Sequence, residues 1–310
     1  MSALPAEQPA DEAWLRRQEK GTVFGARALV FVTRVFGRRG AGVILRIVAF
    51  YYTLFAGPAR RAAQDYRRRM GLSAGFWGAY RNILSFAVVA LDRVFLVRGE
   101  TRRFKVTSNG VENLEQLRRD KRGAILLGAH LGSFEAMRAF SRDEEFRVHI
   151  LAYFANARMI NTFLATVGAD FRGRIIEIDP RDTSYIFAVQ AAIEAGDLVA
   201  VLGDRVGVNE KTATAQFLGA PARFPTGPYT LAALLRCPIY LTFGLYRAPD
   251  RYDLYCEPLA QHLELPRGAR EAALAAHVQR YADRLEHYCR LAPDNWFNFF
   301  DFWGTKEGDA

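Results

Sequence analysis

His130 and Glu135 are the residues of this chain whose types and spacing best suit chemistry. They lie in Gly123-Ala-Ile-Leu-Leu-Gly-Ala-His-Leu-Gly-Ser-Phe-Glu135. A neutral imidazole, with an ordinary pKa of about 6.5, can take a proton from a hydroxyl near neutral pH. A carboxylate beside it fixes the tautomer and stabilises the imidazolium that forms. This is the base-plus-orienter pair of acyl transfer, with His130 as general base and Glu135 as its partner. The backbone N–H groups of Gly132 and Ser133, at a helix start, are candidates to hold an oxyanion. Ser133 follows the histidine and sits in no G-x-S-x-G elbow, so direct attack without an acyl-enzyme is the expected route. H-E-x-x-H is absent and no cysteine or second histidine lies nearby, so no metal is expected. There is no G-x-x-x-x-G-K-[ST] loop either, and no cofactor is expected.

Further candidates lie downstream. Arg158 could serve an oxyanion, Glu135 or a phosphate, or be a solvated residue at a helix start; Asn156 shares these alternatives. Asp204 and Arg205 leave an apolar run at what should be the same sheet edge as His130. They could bind a polar head, support the site, or pair with each other. Arg223, Thr226 and Gly227 lie in an expected loop ahead of a helix whose N-terminus could face an anion, or they have ordinary loop and capping roles. Cys237, before Pro238, reads as core, and His149, His262, His277 and His287 carry no motif.

The elements that must position these residues alternate from Phe104 onward. Strands are expected at Phe104–Thr107, Ala124–Leu127, Arg147–Tyr153, Arg174–Ile178, Leu198–Leu202, Pro238–Leu245 and Tyr252–Cys256. Helices are expected near 134–141, 158–168, 182–195, 226–236 and 269–291. The run Ala124–Leu127 is too short for a helix and is bounded by glycines, which makes it a strand ending just before His130. Alternating strands and helices predict an α/β fold with a mostly parallel sheet flanked by helices, whose ligands bind at the carboxyl ends of the strands. The last helix carries Leu274, Val278, Tyr281, Leu285 and Tyr288 on one side and should pack on the sheet.

Ahead of this lies a different composition. Of the net charge of +9, residues 1–105 hold 19 Lys and Arg against 7 Asp and Glu, and the remainder 23 against 26. The arginines interleave with long apolar side chains, which favours a membrane over a nucleic acid as partner. Trp14–Phe36 and Gly42–Ala56 read as two apolar helical runs broken by Arg16, Arg17, Arg27, Arg34 and Arg46. Neither reaches the roughly 20 uninterrupted apolar residues of a transmembrane helix. A basic, aromatic-rich helical hairpin lying in a leaflet interface is the preferred reading. A helix pair packed on the following domain and a single tilted span around 42–56 are the alternatives. Arg60, Arg61, Arg67, Arg68 and Arg69 follow as a cluster for anionic headgroups or a solvated helix face, and Phe76–Val97 makes one more helix. The organisation expected is a disordered tail over 1–12, an N-terminal helical membrane-associated region over 13–100, an α/β domain over 101–303 and a tail over 304–310. The first twelve residues lack a basic and an apolar segment, so no signal peptide is expected. Three scattered cysteines among 310 residues fit a reducing compartment.

The ordered motifs resemble a known family. H-x-x-x-x-E at His130 and Glu135 is similar to the signature of the lysophospholipid acyltransferase superfamily. Leu127-Gly-Ala-His-Leu-Gly-Ser-Phe-Glu135 resembles its branch of late lipid A biosynthesis acyltransferases. Gly203-Asp204-Arg205, Phe217-Leu-Gly-Ala-Pro-Ala-Arg-Phe-Pro-Thr-Gly-Pro228 and Leu234-Leu-Arg-Cys-Pro-Ile239 resemble further blocks of that branch, in order. The tail Asn295-Trp-Phe-Asn-Phe-Phe-Asp-Phe-Trp303 looks like homologues found with aryl-polyene pathways; by itself it could meet a membrane or plug the core, and packing is the preferred reading. The family commonly carries a Tyr-Arg pair after the third strand, where this chain has Tyr153-Phe-Ala-Asn-Ala-Arg158. Its aspartate block often reads Pro-Asp-Gln or Pro-Asp-His, against Gly203-Asp204-Arg205. The resemblance implies an acyltransferase on the cytoplasmic face of a bacterial inner membrane. It would take a fatty acyl group from acyl carrier protein or coenzyme A to a hydroxyl of a membrane lipid or glycolipid. The acceptor would be an aryl-polyene lipid, a lysophospholipid or a lipid A precursor, and the departures favour the first over the last. A thioesterase and a non-catalytic membrane-bound lipid-binding scaffold are the alternatives.

Overall fold

A computed structural model describes residues 22–139, 147–153, 175–179, 182–207 and 210–304, without the side chains of 22–29. The chain begins with helices α1 (Thr22–Phe55), α2 (Gly57–Arg69) and α3 (Phe76–Val97). Then follow β1 (Lys105–Asn109), α4 (Val111–Arg119), β2 (Ala124–Gly128), α5 (Phe134–Ala139), β3 (Val148–Tyr153) and β4 (Ile175–Ile178). Next come α6 (Tyr185–Glu194), β5 (Leu198–Leu202), β6 (Thr212–Phe217), β7 (Ala220–Pro225) and α7 (Gly227–Leu235). The last elements are β8 (Ile239–Arg247), β9 (Arg251–Ala260) and α8 (Arg270–Leu291). The expected helix over 158–168 lies outside the described residues, as do residues 1–21 and 305–310.

Seven strands form one sheet in the order β1-β9-β8-β2-β5-β3-β4. Every neighbouring pair is parallel except β8 with β9. The fold is the α/β arrangement with a mostly parallel sheet that the alternation of elements implies. All five residues of β2 are buried, which is why it reads as an unbroken apolar run rather than an alternating one. Its side chains nonetheless divide by parity. Ile125 and Leu127 join the core beneath α8, with Leu274, Val278, Tyr281 and Leu285. Ala124 and Leu126 join the opposite core, with Leu117 of α4. Each large apolar side chain so buried contributes roughly 1.5–3 kcal/mol, and β2 is held from both sides.

One local difference from the sequence reading has a clear cause. Arg223 does not lie in a loop: β6 and β7 form an antiparallel hairpin apart from the main sheet. Its two-residue turn places Leu218 at φ 51° and Gly219 at φ 78°, the twist a tight hairpin requires. The N-terminal region bends twice: the described part of the first apolar run, from Thr22, meets the second at a kink at Gly37 (φ 63°) within α1, and α2 leaves at 93°. Among the described residues no single helix is long and apolar enough to cross a membrane; Val30–Phe55 and Gly57–Arg69 are so only as a bent pair.

α1 is fixed to α3 by Arg38, whose guanidinium makes two bonds to Asp92 at 2.7 and 2.9 Å. It buries Ala41, Ala49 and Thr53 while Phe31, Val35, Ile47, Tyr51 and Phe55 face outward. Trp77 of α3 is also exposed, within a ring cluster with Phe50, Phe76 and Tyr80. The arginine cluster of α2 divides. Arg67 is buried and ion-paired with Asp294. Arg60 donates to the carbonyls of Thr53 and Leu54 at the end of α1, and Arg69 pairs with Asp65 and covers Trp303. Arg61 and Arg68 remain exposed.

Candidate active site

The strand register places the site. β2 pairs with β5 in parallel, Gly128 opposite Leu202. Two residues further along each strand stand His130 and Asp204, so both side chains emerge at one carboxyl-terminal sheet edge, where such sheets bind ligands. The pairing continues past the strand ends, with the Gly203 amide donating to the Gly128 carbonyl at 3.0 Å. The His130 amide then donates to both oxygens of Asp204, at 3.1 and 3.0 Å. The ring Nδ1 of His130 lies 2.8 Å from Oδ1 of Asp204.

The surroundings of the pair are asymmetric. The Asp204 side chain is fully buried, whereas that of His130 is 27% exposed. With Nδ1 engaged, the Nε2 edge is the part of the ring left for a reactant. Oδ2 of Asp204 also accepts from the indole N–H of Trp296 at 3.1 Å and from the Asn298 amide at 2.8 Å. Burial pushes the Asp204 carboxyl up, but His130, Arg205 and the Asn298 bond outweigh it and hold the pKa at about 2. Burial and the charge of Arg205 push His130 below its ordinary value, against the pull of Asp204. At neutral pH the pair is therefore a carboxylate and a neutral imidazole.

Glu135 stands elsewhere. Its Oε1 is 2.7 Å from Nε of Arg93 on α3, and its Oε2 accepts from the Ser133 hydroxyl at 3.3 Å. The Ser133 hydroxyl in turn accepts from the Ala136 amide at 3.1 Å and caps α5. The carboxylate on Nδ1 of the imidazole is thus Asp204, and Glu135 braces the turn between His130 and α5.

The two amides expected to face an oxyanion are already used. Gly132 donates to the Asn295 carbonyl at 2.9 Å and Ser133 to the Gly244 carbonyl at 2.8 Å. These bonds stitch the His130 turn to β8 and to the C-terminal segment. Gly132 is at φ 69°, and a Cβ there would fall 2.1 Å from the Gly244 carbonyl oxygen, so only glycine fits.

Arg205 donates Nε to Oδ1 of Asn298 at 2.7 Å and Nη2 to the Phe297 carbonyl at 3.1 Å. Arg223 donates to the Thr212 hydroxyl across the hairpin, and Thr226 bonds the Lys211 carbonyl. Gly227 opens α7, beside the Glu210 carboxylate. These last three thus meet their own hairpin and its approach. Asn156 and Arg158 lie outside the described residues. Trp296 and Asn298, both buried, are the polar participants that the sequence reading took for packing. Beneath α5, a small apolar crevice of about 30 Å³ is lined by Leu126, Phe134, Met137, Val148 and Leu198, with Arg138 beside them.

A neutral, partly exposed histidine at a sheet edge, braced by a buried carboxylate, has the form of a general-base centre for transfer to a hydroxyl. Residues 82–305 match the family of bacterial lipid A biosynthesis acyltransferases, and the chain belongs to that family. It is an acyltransferase, and its family transfers acyl groups from an acyl donor to a lipid acceptor. No individual curated protein matches the chain.

Proposed function

We propose that this enzyme moves a fatty acyl group from an acyl thioester, carried by acyl carrier protein or coenzyme A, to a hydroxyl of a membrane lipid. His130 is the general base and Asp204 orients it. The observation that carries this reading is the 2.8 Å contact between Nδ1 of His130 and Asp204, in which the imidazole is partly exposed and the carboxylate fully buried. Nε2 takes the acceptor's hydroxyl proton as the oxygen attacks the thioester carbonyl carbon. The tetrahedral intermediate then collapses with cleavage of the C–S bond, and the imidazolium returns its proton to the leaving thiolate. Asp204 stabilises that imidazolium while it lasts. The positive charge of Arg205 and Arg93, which disfavours an imidazolium, favours an oxyanion in the same place.

The acceptor is read as an aryl-polyene lipid and the location as the cytoplasmic face of the inner membrane, with residues 13–100 as the membrane-associated region. The exposed apolar face of α1 supports this. A helix that presents Phe31, Phe36, Ile47, Tyr51 and Phe55 outward suits an acyl-chain boundary better than water. Exposed Arg61 and Arg68 suit anionic headgroups.

The test follows a labelled acyl group on acyl carrier protein with detergent-solubilised enzyme and a membrane lipid extract. Label entering lipid with wild type and not with His130→Ala supports the reading, and mass analysis of that lipid identifies the acceptor. Label appearing only as free acid would make the protein a thioesterase under these conditions. Equal behaviour of the two proteins would remove His130 from the reaction.

A further inference from the structure

Asp204 does not hold itself in place. A fully buried carboxylate needs several donors, and the sheet supplies only the His130 amide and ring. The remaining donors come from the far end of the chain. Trp296 and Asn298 both donate to Oδ2, the oxygen turned away from the imidazole Nδ1. We propose that the segment Asn295–Asn298 is a working part of the catalytic centre, in which Trp296 and Asn298 are positioning residues that set the Asp204 carboxylate for its bond to His130. This rests on the reading of His130 and Asp204 given above.

The segment is clamped firmly enough to do this. The Asn295 side chain bonds both backbone groups of Tyr246 on β8, at 2.6 and 3.2 Å. Asn82 of α3 donates to the carbonyls of Asp294 and Trp296 at 3.0 and 3.2 Å, and Asp294 is ion-paired with buried Arg67. The Phe297 amide donates to the carbonyl of His130 itself at 2.7 Å, and Asn295 receives the Gly132 amide. The Trp296 ring is wedged against Tyr66, Phe217 and Phe302, with centroids 5.0, 5.4 and 4.8 Å away.

Asn298 shows the purpose most directly. Its Oδ1 accepts from Arg205 Nε at 2.7 Å, which fixes the amide orientation. Its Nδ2 must then point at Asp204, where it donates at 2.8 Å. An aspartate there keeps the shape and the arginine contact but sets a second carboxylate against Asp204.

Asn298→Asp and Trp296→Phe are compared with wild type, His130→Ala and Asp204→Asn in the full-length solubilised enzyme, with thermal melting as the folding control. The readouts are kcat, KM for the acyl donor, and the acid limb of kcat/KM. Bonds to a charged group are strong, so each variant is expected to lose roughly 10-fold or more in kcat with little change in KM. Added negative charge or a less shielded carboxylate favours the imidazolium, so the acid limb moves to higher pH, by about one unit for Asn298→Asp. Should Asn298→Asp fail to fold, Trp296→Phe tests the same bond set.

Wild-type kcat and acid limb in both variants, with His130→Ala inactive, would overturn this proposal and leave the His130–Asp204 reading standing. A lower kcat with an unmoved limb would also overturn it, since mere packing damage does not retitrate His130. Full activity in His130→Ala would remove the reading, and this proposal with it.

Discussion

β5 carries an aspartate near each end, and each meets a histidine. Asp204 beyond the carboxyl end holds His130 at 2.8 Å, and Asp197 before the amino end holds His149 at 2.9 Å. Distance does not separate the pairs, but exposure does, and it is inverted. At the carboxyl edge the carboxylate is fully buried and the imidazole 27% exposed. At the amino edge the imidazole is 9% exposed and the carboxylate 17%. A general base needs a ring that a reactant can reach and a carboxylate that cannot turn away. The first pair has both. The second lies within β3 and fastens two strands together. A His–Asp contact therefore gains chemical meaning from its place on the sheet and from the groups that hold the carboxylate.

The sharpest way to break this contrast is to remove each histidine in turn. His130→Ala should lower acyl transfer by at least ~10²-fold, while His149→Ala leaves turnover per folded molecule close to wild type. Steady-state rates normalised to folded protein decide it, and comparable losses would make the two pairs equivalent. The carboxylates come next. Asp204→Asn keeps the volume but disfavours the tautomer with Nε2 free, and should cost roughly 10²–10⁴-fold in kcat. Asp197→Asn should have no such effect. The direction of the pH change adds a check. Burial and Arg205 hold the His130 pKa down while Asp204 holds it up. Wild-type kcat/KM should therefore persist below pH 6.5 before the base protonates. Residual activity in Asp204→Asn should persist to still lower pH, because the group that favours the imidazolium has lost its charge.

The same contrast shows what the sequence makes legible. The strand before His130 and the apolar run before Asp204 are visible as runs, and their alternation with helices implies the sheet. What assigns Asp204 to His130 is the Gly128–Leu202 register. A clue was available: both residues stand two or three positions past the end of an expected strand, at Leu127 and Leu202. Glu135 looked the natural partner because it is near in sequence, yet its carboxylate is taken by Arg93 and Ser133. Trp296 and Asn298 were hidden because an aromatic tail reads as packing, and nothing local marks an indole N–H as a donor to a residue 92 positions away. Leucine at the first turn position hid the β6–β7 hairpin, since asparagine or glycine is the usual sign of that backbone twist. Arg67 read as one of a basic cluster because burial, not composition, separates it from Arg68.

The smallest expected effect belongs to the amino-edge pair and concerns stability. His149→Gln keeps a polar side chain of similar length but loses the ring contact with Asp197 at 2.9 Å. The loss should be about 1 kcal/mol, the net worth of one hydrogen bond whose acceptor can still reach water. For a domain of this size that lowers the melting temperature by about 2–4 °C. The partial exposure of Asp197 keeps the cost small, because water replaces the lost donor. The carboxyl-edge pair lacks that relief: Asp204 is closed to solvent, so a substitution that strips its donors must be answered by protonation or by movement. Scanning calorimetry of His149→Gln at fixed protein and detergent concentration measures the smaller effect. A fall several times larger would mean that the amino-edge carboxylate is as dependent on its histidine as Asp204 is on its donors, and the inversion of exposure would lose its force.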